Sequence, residues 1–361
     1  MSSISTSLFQ QTGDTRLRSV GLLGALLAAN GLVWLWALVA FRAYPVLVGT
    51  AALAYTFGLR HAFDADHIAA IDNVTRKLMQ EGKRPISVGL FFSLGHSTIV
   101  VALSIVLAAT ASALRNHFGT LKNIGAIVGT SVSALFLFGI AAANVLVLIT
   151  IYRAFQGVKA GGVLVEEDID LALANRGLLG RLFRRFFRAV EKSWHMYPLG
   201  ILFGLGFDTA TEVGLLDISA TQAAQGLSVW MILLFPALFT AGMTLVDTCD
   251  SMLMVGAYQW AFIKPIRKLY YNLTITAVSV LVAVIVGGFE TLGLIGNQLG
   301  LSGQGGVWGA IGVINDNFGI LGYLIVGAFV AAWLISMIIY RIKGYDAIEV
   351  VMTSQANDSG P

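Results

Sequence analysis

The sequence predicts an all-α integral membrane protein of about eight transmembrane helices, and three observations predict it. The chain is 57% hydrophobic and 12% charged, with a mean hydropathy of +0.78, far too apolar for a water-soluble domain. Its apolar residues fall in runs long enough to cross the hydrocarbon core, which takes about 20 residues of helix. Its basic residues collect in alternate connections, the bias that orients membrane proteins. The pI of 9.0 and formal charge of +3 therefore describe placement against a membrane and not an affinity for nucleic acid. Cys249 is the sole cysteine, which excludes an intramolecular disulfide and a multi-thiolate metal site. The chain has no GxxxxGK[ST] phosphate loop, so it does not carry its own ATP-driven motor.

Residues 1–18 form a polar tail ending in Arg16 and Arg18, and the apolar run 19–41 is longer than a signal-peptide core, so it reads as a retained first helix. Asn30 is its one strongly polar side chain, and a bond to a neighbouring carbonyl would satisfy it. Further spans are expected near 46–72, 86–112, 125–152, 197–219, 229–257, 269–294 and 318–340, within an eight-helix domain over 19–340. With the N-terminus inside, cytoplasmic connections hold Arg76, Lys77, Lys83 and Arg84, then Arg153 to Lys192, then Lys264, Arg267 and Lys268, then Arg341 and Lys343. The other side holds Arg42, Arg115 and Lys122. Both termini are thus expected in the cytoplasm, the second as a tail over 341–361, and the chain in the cytoplasmic membrane.

The loop 153–196 contains an acidic patch, Glu166 to Asp168, and a run from Arg181 to Trp194. At helical spacing its apolar residues, Val190 and Trp194 among them, share one arc and its basic residues the other, which predicts a membrane-surface helix held by anionic lipid. The acidic patch reads as a solvated charge run. The Gly-rich outer connection 295–317 carries no chemical cluster.

Chemistry concentrates in Arg60 to Asn73, where Arg60, His61, Asp64, Asp66 and His67 fall within eight residues and Asp72 follows, at the far end of an apolar run. Charge at that depth costs several kcal/mol and marks an aqueous path, a bound ion or both. Imidazole with carboxylate and no thiol suits a borderline divalent ion such as Ni²⁺, Co²⁺ or Zn²⁺. At about 100° per residue His61, Asp64 and His67 share one face. Asp66 points away unless the helix opens between Phe63 and His67, as transporter helices do beside a midplane site. An Arg60–Asp64 ion pair is the bland alternative.

Elsewhere, His96 stands alone on the third span, near the midplane, as a second-shell or transient ligand. Asp208 and Glu212 lie four apart on the fifth, and Asp247 and Asp250 three apart on the sixth. With their threonines these carboxylates form an oxygen-rich lining suited to stepwise dehydration of a cation. The motif order, acid-rich helix then glycine-led helix, occurs twice in opposite senses and suggests inverted three-helix repeats.

The run His61, Asp64, Asp66, His67 resembles the signature of the nickel/cobalt transporter (NiCoT) family, permeases for Ni²⁺ and Co²⁺. The resemblance extends to Leu94–Thr98, to Leu205–Glu212, and to Gly242-Met243 through Asp247-Thr248-Cys249-Asp250. It implies a secondary importer of nickel, cobalt or both, with no catalytic activity and no cofactor, the metal being cargo. It implies His61, Asp64, Asp66 and His67 as metal ligands, with Asn30, His96, Asp208, Glu212, Asp247 and Asp250 along the path or behind it. Asn30 would then face the second-helix histidine. The expected partners are the divalent ion, membrane lipids and a cytoplasmic metal acceptor. An exporter of similar fold shares most of these features, although the loop lacks the histidine-rich tract that would favour it. An intramembrane metalloenzyme is disfavoured, because the chain has five histidines and only His61, His67 and His96 lie in spans.

Overall fold

The computed structural model describes residues 2–109, 118–159, 190–205, 210–261, 265–301 and 305–343. They form α1 (Ser2–Ala40), α2 (Pro45–His61), α3 (Ala65–Gln80), α4 (Val88–Ala109), α5 (Phe118–Lys159) and α6 (Met196–Phe203). There follow α7 (Ala210–Ala224), α8 (Val229–Ile232), α9 (Leu234–Ala261), α10 (Pro265–Gln298), α11 (Val307–Asp316) and α12 (Phe318–Ile342). Among the described residues there is no strand. Among the described residues six helices are long and apolar enough to cross a membrane: α1 from Thr15, α4, α5, α10, α12 and the α8–α9 segment. This is a multi-pass membrane protein.

The spans expected at 46–72 and 197–219 are not continuous helices. The first divides into α2 and α3 and the second into α6 and α7, so no one helix in either reaches spanning length. The break between α2 and α3 is built without proline or glycine. Phe63 N–H donates to Arg60 O at 3.0 Å and Asp64 N–H to His61 O at 2.8 Å, closing α2 with a tight turn, while Asp64 takes extended backbone angles ahead of α3. Asp is a favoured residue at a helix start, yet its side chain makes no capping bond here and turns to His61 instead. The Phe63 carbonyl is directed at Gly322 of α12, where a side chain would have no room.

The structure adds helix at two places the sequence left open and corrects a third expectation. The polar residues 2–18 continue α1 rather than preceding it. The outer connection 295–317 includes α11, packed on α10. Arg76 and Lys77, expected in a cytoplasmic connection, lie on α3 at 0% and 4% exposure. α3 is enclosed by α5, α9, α10 and α12, and almost its whole length is buried. Its charges are tolerated because they are answered: Arg76 donates to Asn73 Oδ1 at 2.8 Å and to Thr276 at 3.2 Å, and its Nε lies 3.9 Å from Asp72 Oδ2. Asn144 donates to the same Asn73 oxygen and Ser279 to Asp72. Lys77 reaches Val190 O at 2.6 Å.

Of the expected surface helix, residues 181–189 lie outside the described residues. Its last part, Val190 to Trp194, is not α-helical: it bends into a 3₁₀ turn at Ser193–His195. Val190 is buried, not lipid-facing, whereas Trp194 is 54% exposed.

Apolar packing falls into two bodies. One draws on α3, α4, α5, α6, α10 and α12, the other chiefly on α1, α2, α7 and α9. Helix α9 touches α1, α2, α3 and α4 and so joins them. Without a hydrophobic drive between helices in lipid, close backbone approach supplies much of the contact, and small residues permit it. Gly89 of α4 lies against the Asp247 carbonyl of α9, and Gly95 of α4 faces the Tyr197 carbonyl of α6. A methyl at Gly89 would collide with backbone. Gly89→Ala should therefore cost about 1–3 kcal/mol, read as a lower thermal midpoint in detergent. Gly24→Ala, with nothing within 4 Å, should leave the midpoint unchanged or raised.

Candidate metal centre

Between the two apolar bodies lie three imidazoles. His61 ends α2, His67 stands in the first turn of α3, and His96 lies midway along α4, at 1%, 0% and 2% exposure. One ring nitrogen from each falls within 4.8 Å of the other two. His61 Nε2 and His96 Nε2 are 3.0 Å apart. The rings of His61 and His67 have centroids 4.6 Å apart, and those of His67 and His96 4.9 Å.

Carboxylates surround this trio. Asp64 Oδ2 lies 2.7 Å from His61 Nδ1, which Thr211 Oγ1 also approaches at 3.2 Å. Asp247 Oδ2 lies 3.1 Å from His67 Nδ1 and accepts a hydrogen bond from Ser93 Oγ at 2.5 Å. Glu212 Oε1 sits 2.8 Å from His96 Nε2 and 3.9 Å from His61 Nε2.

At His67 this geometry favours one tautomer. A neutral imidazole has one N–H and one lone pair, and a carboxylate at Nδ1 claims the proton there. For His67 this leaves Nε2, which is buried with no hydrogen-bond partner, whereas His61 Nε2 is engaged with His96 Nε2 at 3.0 Å. Metal-binding histidines are held in this way, with the second nitrogen bonded to a carboxylate that fixes ring orientation and raises basicity. His96 Nδ1 and Asp247 Oδ1 are likewise buried without partners. Nitrogens bound to one ion at about 2.0–2.1 Å are separated by about 3–3.4 Å. The His61–His96 pair already has that spacing.

Of the residues singled out in the sequence, His61, Asp64, His67, His96, Glu212 and Asp247 are brought together. His96, expected behind the site, is at its centre. Asp66 stands in the first turn of α3, partly buried, with Oδ1 lacking a partner and no hydrogen bond to an imidazole. Asp250 lies one turn beyond Asp247 on α9, its Oδ2 also buried and unpartnered. Asn30 does not bond a histidine. Its amide donates to Leu26 O at 2.9 Å and Ala241 O at 3.2 Å, and it accepts from Tyr55 Oη at 3.0 Å, which ties α1 to α2 and α9. Arg60 is exposed, so the bland Arg60–Asp64 pairing is replaced by Asp64–His61. Asp208 lies outside the described residues. Ser93 escaped the sequence reading, although it precedes His96 by three residues on the same helix face.

An all-helical membrane protein with a buried trio of carboxylate-oriented imidazoles belongs to the class of metal-handling membrane proteins. The chain is a member of the NicO family, whose model, described as high-affinity nickel-transport protein, matches residues 47–339. It is 57% identical to the high-affinity nickel transport protein of Cupriavidus necator, over 94% of this chain and 96% of that one. It is 49% identical to the nickel transporter NicT of Mycobacterium tuberculosis, over 81% of this chain and 79% of that one. It is 41% identical to the cobalt transport protein NhlF of Rhodococcus rhodochrous, over 82% of this chain and 84% of that one. No solved structure matches the chain. The family is one of transport proteins, not enzymes, and the metal is cargo rather than cofactor.

Removing the carboxylate behind His67 should be costly. Asp247→Ala strips partners from both His67 and Ser93 and should lower stability by about 1–3 kcal/mol. Asp250→Ala, which removes an oxygen already unpartnered, should cost less in the same thermal melt.

Proposed function

We propose that this protein imports Ni²⁺, Co²⁺ or both across the cytoplasmic membrane, holding the ion between His61, His67 and His96. One observation carries the reading: three buried imidazoles each offer a ring nitrogen within 4.8 Å of the other two, with His67 held at Nδ1 by Asp247 and Glu212 beside the cluster. Relatives named for nickel and for cobalt support the choice of ion. In this reading Asp64 and Asp247 orient the rings, while Asp66 and Asp250, each with an unpartnered buried oxygen, are stations on the ion's way in and out. Asp208, four residues before Glu212 in sequence, stays a candidate path residue on its sequence alone. Asn30 acts at a distance, by holding α1 against α2 and α9.

The interrupted segments α2–α3 and α6–α7 count as the second and fifth of eight crossings, and they are the acid-bearing members of the two inverted three-helix repeats. Broken helices facing each other at midplane are the usual way for a transporter to expose backbone and side chains to an ion. Both termini lie in the cytoplasm, on the side where basic residues concentrate. Import needs no ATP. A divalent ion moving down a potential of about 100 mV releases about 4.6 kcal/mol, enough for roughly a thousandfold accumulation.

His61→Ala and His96→Ala should each reduce uptake of radioactive nickel to background in cells that still carry the protein in the membrane, while Asn30→Ala leaves measurable uptake. Normal uptake by either histidine variant would remove that ring from the site. Metal binding needs the neutral ring, so acidification favours the protonated form and loses the ion. Uptake should fall as pH drops from about 7 to about 5, across the ordinary imidazole range, and a flat profile would count against imidazole ligation.

A further inference from the structure

A second site, remote from the imidazoles, lies where α3 ends and α4 begins. A cavity of about 210 Å³ is lined by Lys83, Arg84, Glu191, Lys192 and Ser193, against a wall of Leu78 and Pro85. Three cations face one acid. Lys83 Nζ is engaged, with Glu81 Oε2 at 2.6 Å and Glu191 O at 2.7 Å. On Arg84, Nη1 is buried and has no hydrogen-bond partner. A buried guanidinium nitrogen without an acceptor is costly, and the apolar wall raises the strength of any charge interaction made there.

The position narrows the ligand. The membrane-crossing part of α4 starts at Val88, four residues after Arg84, so the cavity opens at the level of the lipid headgroups. Trp194, 54% exposed, follows the cavity residue Ser193, and exposed Trp is the residue that settles at the membrane–water boundary. Guanidinium and ammonium groups with a hydroxyl are the donor set for phosphate oxygens.

We propose that this cavity binds an anionic phosphate group, with Arg84 and Lys192 as its cationic contacts and Ser193 as its hydroxyl donor. The bound group would also fasten the segment 190–193 to the end of α3, where Lys77 and Lys83 already grip the Val190 and Glu191 carbonyls. The phosphate can be that of an anionic lipid headgroup or free inorganic phosphate.

The test uses the full-length protein in uncharged detergent, free of added metal, at constant ionic strength. Its thermal midpoint is followed during titration with phosphatidylglycerol, phosphatidylcholine or inorganic phosphate. A saturable rise with phosphatidylglycerol, not matched by phosphatidylcholine, identifies the lipid headgroup as the source, and a saturable rise with inorganic phosphate identifies the free anion. Arg84→Gln and Lys192→Gln should each weaken the effective ligand by about fivefold, the effect of one surface cation. Lys192 is exposed, so its variant keeps the test valid should the Arg84 change impair folding. No saturable response to either anion, an equal response to phosphatidylcholine, or a midpoint concentration unchanged in both variants would overturn the proposal.

Discussion

The pairing of each buried imidazole with a carboxylate is the interaction on which the rest of this structure depends. His61, His67 and His96 are buried within the protein, and unpaired polar groups there are expensive. Asp64 from the α2–α3 turn, Asp247 from α9 and Glu212 from α7 answer them. The pairing does more than compensate. With Asp247 at Nδ1 of His67, Nε2 of that ring is buried and unpartnered, an arrangement that a cation can complete. Full satisfaction would have given a rigid polar core instead.

The helical architecture follows from that need. A continuous second helix would carry Asp66 away from His61, and the interruption at Ala62–Asp64 lets α3 start beside the end of α2 with Asp64 facing backward onto His61. Helix α9 can deliver Asp247 to His67 because Gly89 lets α4 approach its backbone. α3 itself is an unusual membrane element, with charged residues buried along it. Arg76 and Asp72 persist there because Asn73 and Thr276 accept from Arg76, Ser279 donates to Asp72, and the two charges lie close together, so the helix can lie within protein and need not face lipid. This polar network and the imidazole cluster share one helix.

Much of this was legible in the residues alone. Composition and apolar run lengths dictate an all-helical membrane protein, since nothing else satisfies backbone groups in hydrocarbon. Spacing marked His61, Asp64 and His67 as neighbours, although the break after His61, not a shared helix face, brings them together. Glu212, Asp247 and the other acids were recognisable as costly intramembrane charges, although not as partners of particular rings.

Partnership is where local reading ends. That His96 stands among the other two rings, that Ser93 backs Asp247, and that Asn30 bonds carbonyls instead of a histidine depend on contacts between residues tens to hundreds of positions apart. So does the burial of Arg76 and Lys77: a basic pair after an apolar run looks like a loop until the helices enclosing it are known. Sequence periodicity reports which face of a helix a side chain occupies, whereas packing alone sets what that face meets.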